Sequence, residues 1–356
     1  MNLKDRLIIE EYRREKDNFI KLDATVYEKL CALVKETGIQ TLSIEHRIKS
    51  ESSLAGKLVK SGDWYQKFED LTDILGARVI CFFNDEVDKL GGMIEKNFTI
   101  DWKNSSDKRA LIKANTFGYL SLHYICYLTE ESGYPKEICN KKFEIQIRTI
   151  LQHTWAAIEH DIGYKSEFGL PREYERGFSR VAGLLEVADD EFIRLRDGMK
   201  AYTEDVRTRI KENRADDVAI NSVSVNEYVS HNERARLLAE KIAAINGAEI
   251  KTVDADNYIE QLKWFNVTTI GDLQKMAERN EKLAFEIAES TLKATDIDIL
   301  SSSAVLWYLC RAELVSGKYP EEKIAEFLEV SLKDREKAKR RAKRFYEKYA
   351  AARKND

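Results

Sequence analysis

The chain has 356 residues, enough for two or so domains and a sizeable buried core. Charged residues make up 34% of it yet nearly cancel, to a formal net charge of -4, which leaves no global nucleic-acid signature. No apolar run approaches the ~20 residues of a membrane span, and the amino terminus, Met1-Asn2-Leu3-Lys4-Asp5-Arg6, is too charged for a signal peptide. Cys31, Cys81, Cys126, Cys139 and Cys310 are odd in number and form no C-x-x-C pair, so reduced cytoplasmic thiols are expected rather than a disulfide framework or a zinc site.

In chain order, residues 4–37 read as two amphipathic helices, with Asp23 as N-cap of the second and Gly38 as its stop. From 39 to 149 short β-rich runs near 41–47, 77–83, 98–102, 119–128 and 142–149 are separated by helical segments at 51–60 and 85–96. A helix follows from Leu151 to Tyr164. The pattern predicts an α+β core, a mixed sheet with helices packed on it. After Pro171 strands largely vanish. Residues 172–213 read as one or two long helices, 216–224 as a linker, and Ser224-Val225-Asn226-Glu227 as a capping box opening a helix to Ile245. A short strand at 248–253 precedes helices near 256–264, 269–278, 280–292, 301–316 and 320–352. Between Leu262 and Leu273 the pattern is that of a helical-hairpin turn, with Asn266 in the left-handed position. The expected organisation is a core over 1–170, long helices over 171–215 and an all-α region over 216–356.

Four segments carry chemistry. Along Phe143-Glu144-Ile145-Gln146-Ile147-Arg148-Thr149, strand alternation puts an acid, an amide and a guanidinium on one face and the apolar residues on the other. That row suits a phosphate-bearing substrate with a bound metal; a solvated sheet face is the plain alternative. In His46-Arg47-Ile48-Lys49-Ser50-Glu51-Ser52-Ser53-Leu54-Ala55-Gly56-Lys57, Arg47 and Lys49 share a strand face and Ser53 and Lys57 share a helix face. Converging cations at a helix start form a polyphosphate cradle, or else a solvated basic turn. Asp73 precedes an apolar strand in which Arg78 is embedded, and a buried guanidinium needs a carboxylate or a phosphate. In Gly118-Tyr119-Leu120-Ser121-Leu122-His123 the polar face offers a ring, a hydroxyl and an imidazole, suited to a base and its sugar or phosphate, or to an ordinary half-buried strand.

Taken in order, R-x-K-x-x-x-S-x-x-x-K, D-I-x-G-x-R, G-Y-x-S-x-H, E-I-Q-I-R-T and W-A-x-x-E-H-x-x-x-Y-K (Trp155 to Lys165) resemble the synthetase domain of RelA/SpoT-type alarmone synthetases, particularly the small ones, over roughly residues 20–170. The resemblance implies a nucleotidyltransferase-like sheet that moves the β,γ-pyrophosphate of ATP onto the 3′-oxygen of GDP or GTP, giving (p)ppGpp and AMP. It implies that Asp73 and Glu144 hold Mg²⁺, with Glu144 also the base. It assigns Arg47, Lys49, Ser53, Lys57 and Arg78 to ATP, and Tyr119, Ser121, His123, Gln146 and Arg148 to the acceptor nucleotide. The family usually has Arg or Gln where this chain has Leu120, and the approach Lys113-Ala114-Asn115-Thr116-Phe117 is longer and less polar than usual. Both departures bear on the acceptor, so relatives that modify the 3′ end of tRNA or an adenosine nucleotide stay open, as does an idle domain that senses nucleotide or binds RNA. A hydrolase site is not expected, because only His231 of the five histidines lies outside 46–160. The helices after the core imply a homo-oligomer. The cationic run Lys333 to Lys354 reads either as a solvated helix or as a contact to tRNA or the ribosome.

Overall fold

In the computed structural model the described residues are 3–107, 121–164, 171–293 and 295–350. Tyr119, Leu120 and Lys165 therefore lie outside them. The chain forms two compact units, Met1–Arg196 and Asp197–Asp356.

In the first unit, α1 (Leu3–Thr37) leads to β1 (Thr41–Ile48), α2 (Glu51–Ser61), β2 (Leu75–Cys81) and α3 (Asn84–Asn97). Then come β3 (Thr99–Ile100), β4 (Ser106–Asp107), β5 (Leu122–Tyr127), β6 (Phe143–Thr149), α4 (Ile150–Tyr164) and α5 (Arg172–Lys211), the last running into the second unit. The strand order is β1-β2-β6-β5-β3 with β4 on β5; β2 and β6 are parallel and the other pairs antiparallel. This is the expected mixed sheet. Its apolar face, with Ala77, Val79, Phe143, Ile145, Ile147 and Tyr124, packs into one core with the buried residues of α1 and α3. The opposite face is left for polar side chains.

One expectation fails at the start. Residues 3–37 form one helix rather than two, because Tyr12, Phe19, Leu22, Val26, Leu30 and Val34 keep an unbroken buried stripe through the supposed break. Asp23 is not a cap; its carboxylate lies 2.8 Å from His46 Nδ1 on β1. Gly38 does end the helix, at φ +69°, where a Cβ is costly. At the far end of the sheet Thr149 and Gln152 cap α4 reciprocally, Gln152 N–H to Thr149 Oγ1 at 3.1 Å and Thr149 N–H to Gln152 Oε1 at 3.0 Å. The Thr149 hydroxyl also donates to Asp189 of α5 at 2.8 Å.

The second unit is helical, with α6 (Ser222–His231), α7 (Glu233–Ala244), α8 (Ile259–Trp264), α9 (Ile270–Leu292), α10 (Ala304–Ser316), α11 (Glu321–Leu332) and α12 (Arg335–Lys348). It includes one parallel pair, β7 (Glu249–Lys251) with β8 (Ile299–Ser301). Tyr228, Leu262, Leu273, Met276, Leu309 and Phe327 lie in its core. Helix boundaries differ from expectation at three places. Asn221 and Asn232, not Ser224, are the N-caps, so the run to Ile245 splits in two. Ile270–Leu292 is a single helix where two were expected, and the run expected from 320 breaks at Lys333, which is left-handed at φ 50°. Asn266 is left-handed as expected, at φ 59°.

The supposed linker is also part of this core. Ala215 and Val218 are buried, Ile220 N–H bonds Thr268 O at 2.9 Å, and Ile270 N–H bonds Val218 O at 2.8 Å. Polar composition hid this, since backbone bonds hold the segment as much as side chains do. At Gly271 a Cβ would lie 2.7 Å from the Asp216 Cα, with no room on either backbone to yield. Gly271→Ala is therefore expected to destabilise the protein by ~1–3 kcal/mol in a denaturant titration. A free linker would give the opposite sign, because alanine is the better helix former by ~1 kcal/mol.

Candidate active site

The polar face of the sheet is assembled by register. Across β1, β2, β6 and β5, Glu45 pairs Arg78, Arg78 pairs Gln146 and Gln146 pairs His123, so four side chains from four strands stand in one row. In the next row Gly76 lies between Arg47 and Glu144. A cavity of about 350 Å³ opens over these rows, lined by Arg47, Lys49, Asp73, Gly76, Arg78, Glu144 and Gln146 among others.

Two carboxylates organise it. Asp73, just ahead of β2, is held by both cradle lysines, Lys49 Nζ at 2.6 Å and Lys57 Nζ at 2.8 Å. Burial alone would raise its pKa, but the two lysine bonds prevail and hold the carboxyl below the ordinary range. Lys57 itself is pulled down by burial and, more strongly, up by Asp73 and the Tyr65 hydroxyl, for a net rise. The Tyr65 ring also faces its ammonium at 5.0 Å. Lys49 is fixed through its backbone, which donates to Ile74 O at 2.8 Å and accepts from the Tyr12 hydroxyl at 2.8 Å.

Glu144 is the second. Its Oε1 lies 2.7 Å from His123 Nδ1, and its Oε2 accepts from Gln146 Nε2 at 2.7 Å. Burial pushes this carboxyl up, yet the imidazole and the amide outweigh it, so Glu144 too titrates below its usual value. The Gln146 oxygen then accepts from Arg78 Nε at 3.2 Å and from Arg148. The embedded Arg78 thus finds an amide and, at 3.6 Å, the carboxylate of Glu45.

The structure brings together most of the residues singled out from sequence. Asp73, Glu144, Arg47, Lys49, Arg78 and Gln146 line the cavity, Lys57 reaches it through Asp73, and His123 through Glu144. Ser121 and Arg148 are buried. Ser53 is exposed and sits in the first turn of α2, where the Ser50 hydroxyl accepts from its N–H at 3.2 Å. Sequence reading missed Glu45, whose signal was its place two residues before Arg47 on one strand face, and Tyr65, whose loop position carried none. Among the described residues no group of three or more His, Cys, Asp and Glu could hold a metal ion, and no helix is long and apolar enough to cross a membrane. The fifth motif as far as Tyr164 lies on α4, where the Trp155 indole N–H donates to Phe178 O at 3.2 Å.

Comparison with known proteins identifies residues 46–168 with the region found in RelA / SpoT proteins. The chain is 29% identical over 160 residues to the GTP pyrophosphokinase YwaC of Bacillus subtilis (strain 168), covering 42% of this chain and 72% of that protein. It is 28% identical over 178 residues to the GTP pyrophosphokinase YjbM of the same organism, covering 46% and 81%. Among solved structures, that of a GTP pyrophosphokinase family protein from Streptococcus pneumoniae aligns with TM-score 0.45 and 26% identity, over 57% of this chain and 97% of that one.

Proposed function

We propose that this chain, whose residues 46–168 match the region found in RelA / SpoT proteins, is a cytoplasmic GTP pyrophosphokinase. It moves the β,γ-pyrophosphate of ATP to the ribose 3′-oxygen of GDP or GTP, making (p)ppGpp and releasing AMP. One observation carries the reading: Asp73 and Glu144 stand on the wall of a single cavity whose other polar side chains include Arg47, Lys49, Arg78 and Gln146.

Each part has a task in that reaction. Arg47, Lys49, Ser53, Lys57 and Arg78 bind the ATP phosphates, because transfer of this kind depends on positioning and on neutralising charge. Arrival of the polyphosphate gives Lys49 and Lys57 new anionic partners and frees Asp73. Asp73 and Glu144 then offer the hard oxygen donors that Mg²⁺ takes, one or two carboxylates with the remainder from phosphates and water. The ion, when bound, supplies further charge neutralisation on the transferring group. Glu144, held ionised, accepts the 3′-hydroxyl proton as that oxygen bonds to the β-phosphorus and the bond from the β-phosphorus to the α-phosphate oxygen breaks. His123 and Gln146 fix the direction of the Glu144 carboxylate. With Tyr119, Ser121 and Arg148 they form the acceptor side.

The organisation we propose keeps the synthetase core over 1–170. The helices of 171–215 serve as an oligomer contact, for which the exposed Val181, Leu184, Val187 and Leu195 of α5 supply apolar surface. The decisive measurement is to incubate the protein with γ-³²P-ATP, Mg²⁺ and GDP, GTP, ATP or deacylated tRNA. Label is expected on GDP and GTP; label on tRNA or ATP alone would replace this acceptor, and label on none would remove the enzyme reading.

A further inference from the structure

The second unit pairs its charges carefully. Arg207 lies 2.9 Å from Glu227, Arg234 3.1 Å from Glu281, Arg279 2.8 Å from Glu313 and Lys293 2.8 Å from Glu289. Helix α12 departs from this habit. It carries eight Lys and Arg against two Glu, and beyond Lys339 with Glu336 at 3.0 Å no ion pair joins it to any described residue. Its Ala338 and Ala342 are buried, so the cations are turned outward and exposed.

Arg311 of α10 is the second departure. Its guanidinium lies 3.1 Å from the centroid of the Trp307 ring and gives one hydrogen bond, to Trp307 O at 3.2 Å. The neighbouring groups that bear most on its charge are Cys310, Tyr258, Tyr308 and Tyr349. Burial accordingly pulls its pKa down to about 10. A half-buried guanidinium that makes no ion pair with any described residue is costly, and an incoming phosphate would relieve it. Tyr349 directly follows α12, packed against Phe345 at 4.8 Å between centroids and beneath the Lys348 ammonium at 5.2 Å. A cationic track therefore ends among half-buried rings and an arginine stacked on an indole.

We propose that this unit binds single-stranded nucleic acid, with the phosphates along α12 and one or two bases at the Arg311–Trp307–Tyr349 cluster. Cations alone would serve any polyanion. Rings and a planar guanidinium add a preference for bases that are free to stack. An anionic membrane fits less well, because the small apolar residues of α12 are committed to the core and leave no apolar face to insert. The inference is independent of the reading of the first unit.

The test is fluorescence anisotropy on the full chain with a labelled ~20-nucleotide single strand, as RNA and as DNA, and with the matching duplex, across a salt series. The single strand is expected to bind more tightly than the duplex. The double variant Arg340→Glu/Arg344→Glu should weaken binding at least ~10-fold and lower the salt slope by ~1.4, about 0.7 for each single-strand phosphate no longer neutralised. Arg311→Lys keeps the charge and removes the plane; it should weaken single-strand binding ~5-fold or more and leave the duplex unchanged. Circular dichroism and thermal unfolding of each variant report that the chain is intact. Equal binding of single strand and duplex with Arg311→Lys silent overturns the proposal. So does binding to phosphatidylserine vesicles with none to either oligonucleotide.

Discussion

Glu144→Gln is expected to lower kcat by on the order of 10³-fold, with the KM for ATP changed far less. The amide keeps the size of the side chain and its neighbours His123 and Gln146, so the strand should fold as before. What it loses is the negative charge that, in the proposed reaction, would take the 3′-hydroxyl proton and offer one of two hard oxygen donors. Rates measured by AMP release on wild type and variant, with thermal unfolding alongside, check this directly. A variant within about tenfold of wild type would move the base elsewhere. Asp73 would then be the next carboxylate to examine, since it faces the same cavity.

The second large effect concerns stability rather than chemistry. Asp189 on α5 is 3% exposed, its Oδ2 accepts from Thr149, and its Oδ1 has no hydrogen-bond partner among the described residues. Burial, with Asp190 adding to it, outweighs the Thr149 bond and raises the carboxyl to about 6. A folded-state value above the unfolded one means that the folded protein holds this proton more tightly. The contribution to stability is therefore full below about pH 4 and lost as pH rises through about 6. A shift of this size is worth ~3 kcal/mol unscreened, and partial screening by solvent brings it to ~2 kcal/mol. Asp189→Asn should flatten that slope and make the protein more stable than wild type at pH 7, still accepting from Thr149. Denaturant unfolding at pH 4, 5.5 and 7 reads it; parallel curves for the two proteins would show that Asp189 does not carry the slope.

How legible this was in the sequence depends on what kind of force places each residue. Strand alternation alone put Glu144, Gln146 and Arg148 on one face, because a period of two leaves a strand little choice. Asp23 misled for the opposite reason. An aspartate before an apolar run looks like a cap, whereas here its partner is His46, far along the chain and brought close only by packing. Residues 216–220 were unreadable in the same sense, being held by backbone bonds to Thr268 and Ile270 that no composition records. The contact between Lys57 and Tyr65 joins a helix to a loop and leaves no period to detect. What the sequence did convey was the inventory of the site; what it withheld was which carboxylate each cation would hold while waiting.

Gly76 gives the site its last property. It stands in mid-strand between Arg47 and Glu144, its φ is not positive, and a Cβ built on it would meet no protein atom within 4 Å. Nothing in the fold asks for glycine there. The vacant side-chain position faces the cavity, so what is kept at 76 is room, and the molecule that would feel a methyl group is the one that binds. The fold gives up about 0.5–1 kcal/mol relative to alanine at this position, and what it keeps in exchange is empty space on the wall of the cavity.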